Sequence, residues 1–415
     1  MGKKVIIIGG GVIGLCSAYY LKKSGHHVTV IDQSNMDSGA SYDNAGYLSP
    51  SHIIPLSAPG VMKKGIKWMF NPSSPLYIKP RLDKEFLQWT RAFNNSCNPK
   101  HVEKAIPIIK GLTLLSQELY DDIKQDNHFS FHLEKKGLLM LCQTQKMLEE
   151  EVKTAELAKS EGLDAREISL SELKTLEPNT KINALGATYY KCDSHSTPHE
   201  FMSEMKSWLL KNDVIILQNE SVQDLEVRND KIISVITDKQ KLKADEYVLA
   251  AGSWSPILSK KLGLHLLLQA GKGYRINTFI ETGVLHPAIL AEAKVAVTPM
   301  NGFTRFAGTM EIAGINNNIN PVRVEAIAKA VSNYLPDIHI SDEEKDKAAS
   351  GLRPVSPDGL PYIGKSSKCK NLTIATGHAM MGWSMATATG TLVSEIISEQ
   401  KASLNLEPLN PDRKF

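Results

Sequence analysis

The chain has little of what marks a disulfide-bonded, membrane-spanning or nucleic-acid-binding protein. Among 415 residues there are 5 cysteines (Cys16, Cys97, Cys142, Cys192 and Cys369), scattered and never in a Cys-x-x-Cys pair. This argues against a disulfide framework or a zinc site, fits a reducing cytosol, and leaves no metal expected. No apolar run approaches the roughly 18 residues that a transmembrane helix needs. Lys plus Arg is 48 and Asp plus Glu is 45, so the net charge of +3 offers no footprint for nucleic acid. Repeats and low-complexity tracts are also missing. What remains is ordinary globular composition, 42% hydrophobic and 22% charged, with length enough for two domains.

Against this plain background one stretch stands out, VIIIGGGVIGLCSAYYLKKSGHHVTVID, Val5 to Asp32. The β-branched run Val5–Ile8 predicts a strand buried on both faces. Gly9-x-Gly11-x-x-Gly14 follows at once, then a helix with Leu15, Ala18 and Leu21 at helical spacing. Gly25 ends the helix, Val28–Ile31 predicts a second strand, and Asp32 closes it. Together these form a βαβ dinucleotide fingerprint. Gly9 permits the tight turn, Gly11 the approach of a pyrophosphate, and Gly14 close packing of helix on strand. The helix start offers N–H groups to phosphate. Asp32 can accept two hydrogen bonds from an adenosine ribose and repels a 2′-phosphate, which disfavours NADP and leaves FAD and NAD open. Lys3-Lys4 before an uncharged run imitates a signal peptide, but four glycines within six positions argue against one.

The rest of the chain alternates in texture. Residues 83–128 predict helices, Phe131–Cys142 a strand pair around Gly137, and 145–162 a charged amphipathic helix. Thr197-Pro198-His199-Glu200 reads as an N-cap, a first-turn proline and a capping-box glutamate. Val214–Leu217 and Glu246–Gly252 predict further strands, and 266–310 an antiparallel set. Ser341 with Glu344 caps a late helix. Leu372–Thr376 predicts a strand that runs into Gly377, and a helix is expected from Gly382 to Ser398. The fold class is therefore α/β, a discontinuous Rossmann-like domain in three pieces (1–82, 195–262, 341–415). An α+β substrate domain with an antiparallel sheet (83–194, 263–340) is inserted between them. Val61–Phe70 mixes Lys63, Lys64 and Lys67 with Trp68, Met69 and Phe70. That composition suits a lid packed on its own protein, or a peripheral contact with the inner face of the cell membrane.

Five elements in order resemble the D-amino-acid oxidase-like flavoprotein superfamily. They are the fingerprint, Ala40-Ser41-x-x-Asn44-Ala45-Gly46 with Ser49-Pro50, Ala250-Ala-Gly-Ser-Trp-Ser255, Gly351-Leu-Arg-Pro354 with Asp358-Gly359 and Gly364, and Gly377-His378 with Gly382. Ala58-Pro-Gly-Val61, Lys67–Phe70, Lys272-Gly-Tyr274, Arg305 ahead of Glu311, and Trp383 are similar to the bacterial D-amino acid dehydrogenase small-subunit family. The resemblance implies FAD, held non-covalently because Gly351–Gly364 contains no cysteine for attachment. It implies a pyrophosphate turn at Gly9, Gly11, Val12, Ile13 and Gly14, with Asp32 and Gln33 at the adenosine. Ser41, Asn44, Ala45 and Gly46 would line flavin and pyrophosphate. Val222 would touch adenine, and Ala251 and Gly252 the pyrophosphate, with Trp254 and Gly351 also at the cofactor. Gly377, His378, Met381, Gly382, Trp383 and Ser384 would meet the flavin ring.

A substrate carboxylate calls for arginine, which is always charged and binds bidentately. Arg353 and Arg305 match arginines of the family, and Arg275 is a weaker third. The competing readings are an Arg353–Asp358 ion pair and a surface Arg305. Tyr274 can reach the substrate or serve the core. His52 can face the substrate, a departure from the family pattern. Asp193-Ser-His195 reads as structural. The implied reaction is oxidative deamination of a D-amino acid, with hydride passing from Cα–H to flavin N5. The imino acid is hydrolysed to a 2-oxo acid and ammonia, and electrons pass to a quinone or another acceptor. Glycine or a cyclic amine such as D-proline or cis-4-hydroxy-D-proline is the alternative substrate. The alternative of another class is an FAD-carrying electron-transfer subunit. No catalytic acid or base is singled out, because the flavin carries the chemistry.

Overall fold

Val5, Ile6, Ile7 and Ile8 have nowhere to go but a core, and the chain gives them one on each face. In the computed structural model, which describes residues 2–62 and 74–415, they lie on strand Lys4–Ile8 in a six-stranded sheet. The strand order is Ile215–Leu217, His27–Ile31, Lys4–Ile8, Glu246–Leu249, Leu372–Thr376, Tyr362–Lys365. The first five run parallel and the last is antiparallel. Val5 and Ile7 pack on one face with Leu15, Ala386 and Val393, while Ile6 and Ile8 pack on the other with Leu225, Val235 and Leu258. Parallel strands covered on both sides read as continuous apolar runs for this reason. The helices Val12–Lys23 and Ala386–Ile397 cross tightly, since a Cβ on Gly390 would lie 2.6 Å from the Cys16 carbonyl carbon. Cys16 is fully buried packing, as its place on the first helix predicts.

A second sheet of nine strands holds Gln269–Thr278, Phe303–Ile312, Val295–Met300 and Ala288–Leu290, joined to Leu138–Cys142, Gly186–Tyr190 and Ala165–Ile168. The antiparallel set expected in 266–310 is present. Ala349–Val355, which carries Gly-Leu-Arg-Pro, pairs with Gln269–Thr278 at the edge of this sheet, and Leu76–Ile78 pairs with Phe303–Ile312 as its ninth strand. Helix Pro321–Tyr334 covers one face through Val324, Ile327 and Val331. Val222–Arg228, Lys231–Thr237 and Lys241–Leu242 form a separate antiparallel sheet.

Three local expectations are corrected. The strands flanking Gly137 do not pair with each other. Leu133–Glu134 joins Ser194–Ser196, and Leu138–Cys142 joins Gly186–Tyr190, so Gly137, at φ +72°, is a crossing between sheets. Thr197 does precede helix Pro198–Lys211, but its hydroxyl makes no cap bond. Tertiary partners claim it: Thr197 Oγ1 accepts from Asn301 N–H at 3.0 Å, and Glu200 accepts from the His132 N–H at 2.7 Å. The last helix starts at Ala386, not Gly382, because Gly382–Met385 is a turn. The capping box at Ser341 and Glu344 forms as read. Lys63–Phe70, including the basic–aromatic mixture and the Lys67–Phe70 element, lies outside the described residues. Among the described residues, no helix is long and apolar enough to cross a membrane.

Candidate active site

Ile8 hands the chain to Gly9 at φ +110°, where a Cβ would strike the Ala250 carbonyl at 2.4 Å. Gly14 meets the same turn from the helix side, since its Cβ would stand 1.9 Å from Gly9 O. The first-turn N–H groups that follow have no intrahelical acceptor, and the Ser41 hydroxyl accepts one of them, Val12 N–H, at 3.0 Å. Asp32 closes the second strand. Its Oδ2 accepts from Gly10 N–H at 2.7 Å, and its Oδ1 accepts from Ser34 N–H at 2.8 Å and Ser34 Oγ–H at 2.6 Å. A carboxylate has about four lone-pair positions. One is left for a ribose hydroxyl, rather than the two the sequence implied.

These residues border a cavity of about 730 Å³, within the usual range for a cofactor site. Gly9, Gly11, Val12, Ile13, Asp32, Gln33, Ser41, Asn44, Val222, Ala251, Gly252, Trp254, His378, Gly382, Trp383 and Arg353 all line it. The segments that contribute are those predicted to meet a flavin dinucleotide. The donor set also fits one: a glycine turn open to phosphate, a ribose-facing carboxylate, and apolar walls from Ile8, Met36 and Leu258.

The other expected cofactor residues stand outside the lining, each for a stated reason. Gly14 serves the helix–strand contact. Gly46, at φ +79°, passes the Ser196 carbonyl, which a Cβ would meet at 2.1 Å. Ala45 offers its carbonyl to Thr298 Oγ–H at 2.9 Å. Gly351 abuts Ala40, whose Cα would lie 2.5 Å from its Cβ. Gly377 abuts Tyr362, Met381 packs against Met385 and Leu392, and Ser384 Oγ donates to Tyr47 O at 2.8 Å. They support the wall from behind. Gly10, Ser34, Glu220, Ser221, Ser350, Asn317 and Ile319 line the cavity and were not read from the sequence. Gly10 and Ser34 adjoin fingerprint positions and were within reach of the motif. Asn317 and Ile319 carry no such signal.

Arg353 is the decisive side chain. It lines the cavity, and Asp358, its feared partner, belongs to Arg413, whose Nε and Nη2 donate to it at 2.7 and 3.0 Å. Arg353 Nη1 donates to the Thr309 carbonyl at 2.9 Å. Among the described residues no carboxylate forms a salt bridge with it. Burial alone pulls its pKa down to about 10. Such a cation needs an anion. The guanidinium lies over Gly273, where a Cβ would meet Nη2 at 2.3 Å. The glycine of Lys272-Gly-Tyr274 therefore makes room for this arginine.

The other substrate candidates are placed elsewhere. Arg305 is 2% exposed and outside the lining. It donates to Asn277 Oδ1 at 3.0 Å and to the Tyr42 and Asn44 carbonyls at 3.2 and 2.6 Å, which braces the Ser41–Gly46 loop. Arg275 is paired with Asp43 at 2.8 Å. Tyr274 is buried and donates to Glu311 Oε2 at 2.7 Å, within a network that includes Lys272 and Arg323. His52 lies beside Ser51, and burial with nearby Lys294 pushes its pKa down to about 4. Neither Tyr274 nor His52 lines the cavity. His378 does. Thr389 Oγ donates to Met385 O at 2.8 Å, so that hydroxyl accepts from His378 Nε2–H at 2.9 Å. Burial lowers the His378 pKa to about 3, and the ring is neutral.

Residues 4–396 match the family described as FAD dependent oxidoreductase (DAO). The chain belongs to this FAD-dependent oxidoreductase family. It is 33% identical over 414 residues to a D-amino acid dehydrogenase of Vibrio vulnificus strain YJ016, covering 97% of this chain and 99% of the relative. It is 29% identical to a D-amino acid dehydrogenase of Granulibacter bethesdensis, with 97% of each covered. Its fold is that of glycine oxidase from Geobacillus kaustophilus, at TM-score 0.79 and 20% identity over 100% of this chain and 99% of that one. L-proline dehydrogenase from P. horikoshii follows at TM-score 0.75 and 18% identity, over 99% and 97%.

Proposed function

We propose that this flavoenzyme oxidises D-amino acids to imino acids, which water converts to 2-oxo acids and ammonia. The observation that carries this reading is Arg353, a cation in the wall of the cofactor cavity that has no salt-bridge partner among the described residues. The full-length relatives named D-amino acid dehydrogenase support it. Bound FAD supplies the two-electron acceptor for the hydrogen leaving the substrate Cα.

The chain's own share is binding and positioning. Arg353 takes the carboxylate through its planar fork and so fixes the orientation of the Cα. Thr309 O and the bare face of Gly273 hold that fork in place. The acidic side chains that line the cavity are already engaged: Asp32 by Gly10 and Ser34, Asp43 by Arg275, Glu220 by Thr237 and Gln240. His378 is neutral and committed to Thr389. None is a free carboxylate base, so the amine loses its proton to solvent. Electrons then leave to a quinone or another acceptor, through a protein that acts in the cytoplasm or at the inner membrane face.

Anaerobic mixing of the holoenzyme with single amino acids tests the reading. D-amino acids are expected to bleach the flavin absorbance rapidly, with their L-isomers slow. Bleaching by glycine or a cyclic amine alone transfers the function to that substrate. Silence toward every amino acid tested refutes it, and repetition in air reports whether oxygen reoxidises the enzyme.

A further inference from the structure

Away from the cavity, three metal-ligating side chains converge on a small sheet. Strand Leu133–Glu134 pairs antiparallel with Ser194–Ser196, and that strand pairs with Tyr47–Leu48. Glu134 lies directly opposite His195 in the register, so the two side chains share a face. His132, two residues before Glu134, comes to the same face by the strand period. His132 Nε2 and His195 Nε2 each stand 3.7 Å from Glu134 Oε2, and the three atoms lie within 4.8 Å of one another. A tetrahedral ion with bonds of about 2.0–2.2 Å holds its ligands roughly 3.3–3.6 Å apart. A small closure completes the triangle.

We propose that His132, Glu134 and His195 form a structural site for a divalent ion of the zinc class, fastening these strands behind the flavin loop.

The surroundings suit such an ion. His132 Nδ1 is hydrogen-bonded to Thr197 Oγ1 at 3.0 Å, which points Nε2 toward Glu134, the usual outer support of a ligating imidazole. His195 Nε2–H donates to the Pro299 carbonyl at 3.0 Å; ligation through Nε2 replaces that bond and moves the ring proton to Nδ1, with the carbonyl oxygen left beside the ion. Glu134 and His132 are partly exposed, which leaves a path for the ion. Two imidazoles and one carboxylate favour zinc over magnesium or calcium, which take all-oxygen sets.

One group opposes the ion. Lys136 Nζ stands 2.8 Å from Glu134 Oε2. It is the carboxylate's present counter-charge and a divalent ion displaces it. The site also reaches the cofactor loop, since His195 pairs with Tyr47, Ser196 N–H donates to Gly46 O at 2.8 Å, and Trp383 Nε1–H donates to Ser196 Oγ at 2.9 Å.

The test uses tag-free holoenzyme, stripped with chelator and titrated calorimetrically with zinc sulfate, so it does not depend on the proposed activity. One zinc ion per chain is expected, with a rise in melting temperature. His132→Gln and Glu134→Gln should each weaken binding beyond the ~10–100-fold that loss of a supporting partner costs. Lys136→Met should bind zinc more tightly than the parent. Flavin absorbance per chain checks that each variant stays folded. The site is refuted by the absence of one-to-one binding in the parent, by unchanged affinity in the two ligand variants, or by weaker binding in Lys136→Met.

Discussion

Replacing Arg353 by methionine should move activity and stability in opposite directions. The guanidinium is half-buried in the cavity wall, held by one carbonyl bond, and forms no salt bridge with a described carboxylate. Its desolvation is uncompensated until a substrate carboxylate arrives. Removing one partner of a buried, hydrogen-bonded charge pair costs about 2–5 kcal/mol. At ~1.36 kcal/mol per decade, that is a loss of roughly 30-fold to several thousand-fold in kcat/KM. The resting protein loses only one neutral acceptor contact, worth about 1 kcal/mol, and is relieved of a partly desolvated charge. Its melting temperature should hold or rise. Steady-state kinetics with an artificial electron acceptor at saturating FAD, beside thermal melts of the same samples, read both quantities. A kcat/KM within about threefold of the parent refutes the carboxylate role. A melting point lower by about 5 °C or more would instead make Arg353 a structural residue. Gly273→Ala probes the same geometry with the charge kept. Its Cβ must push Nη2 from 2.3 Å, so KM should rise more than kcat falls.

Arg305→Lys should affect the cofactor and not the substrate. It strands two buried carbonyls at about 1–3 kcal/mol each, so FAD should dissociate at least about tenfold more readily while KM at saturating FAD stays within threefold. Fluorescence titration of the apoprotein measures the first, and kinetics the second. Gly351→Ala drives a Cβ into the Ala40 backbone at 2.5 Å, and overpacking of this kind costs about 1–3 kcal/mol. It too should raise the FAD dissociation constant, by roughly 5- to 150-fold. Asp193 is fully buried against the Ser51 N–H and hydroxyl, and burial raises its pKa from 3.8 to about 7. The folded state then binds the extra proton. The stability this contributes is complete below about pH 3.8 and is lost as pH rises through about 7. Melts of Asp193→Asn and the parent at pH 5 and pH 8 should show the variant gaining on the parent at the higher pH, and an equal gap at both would refute it.

Features that rest on neighbours along the chain were legible before the fold was known. Val5 to Asp32 forms the expected unit because its turn, its helix start and its second strand are local events with strong residue preferences. The strands at Glu246–Leu249 and Leu372–Thr376 were legible for the same reason, as buried apolar runs. The Ser341 capping box formed as read, whereas the Thr197 one did not, because His132 and Asn301 compete for its hydroxyl. Arg353 and Arg305 looked alike as sequence, two arginines in a recognisable pattern. Only the tertiary structure separated them: Arg413, 55 residues beyond Asp358, neutralises that aspartate and leaves Arg353 to the cavity. The carbonyls of Tyr42 and Asn44 occupy Arg305 instead. A buried side chain's role depends on which partners reach it, and a fold recruits those partners from distant segments that no local pattern couples.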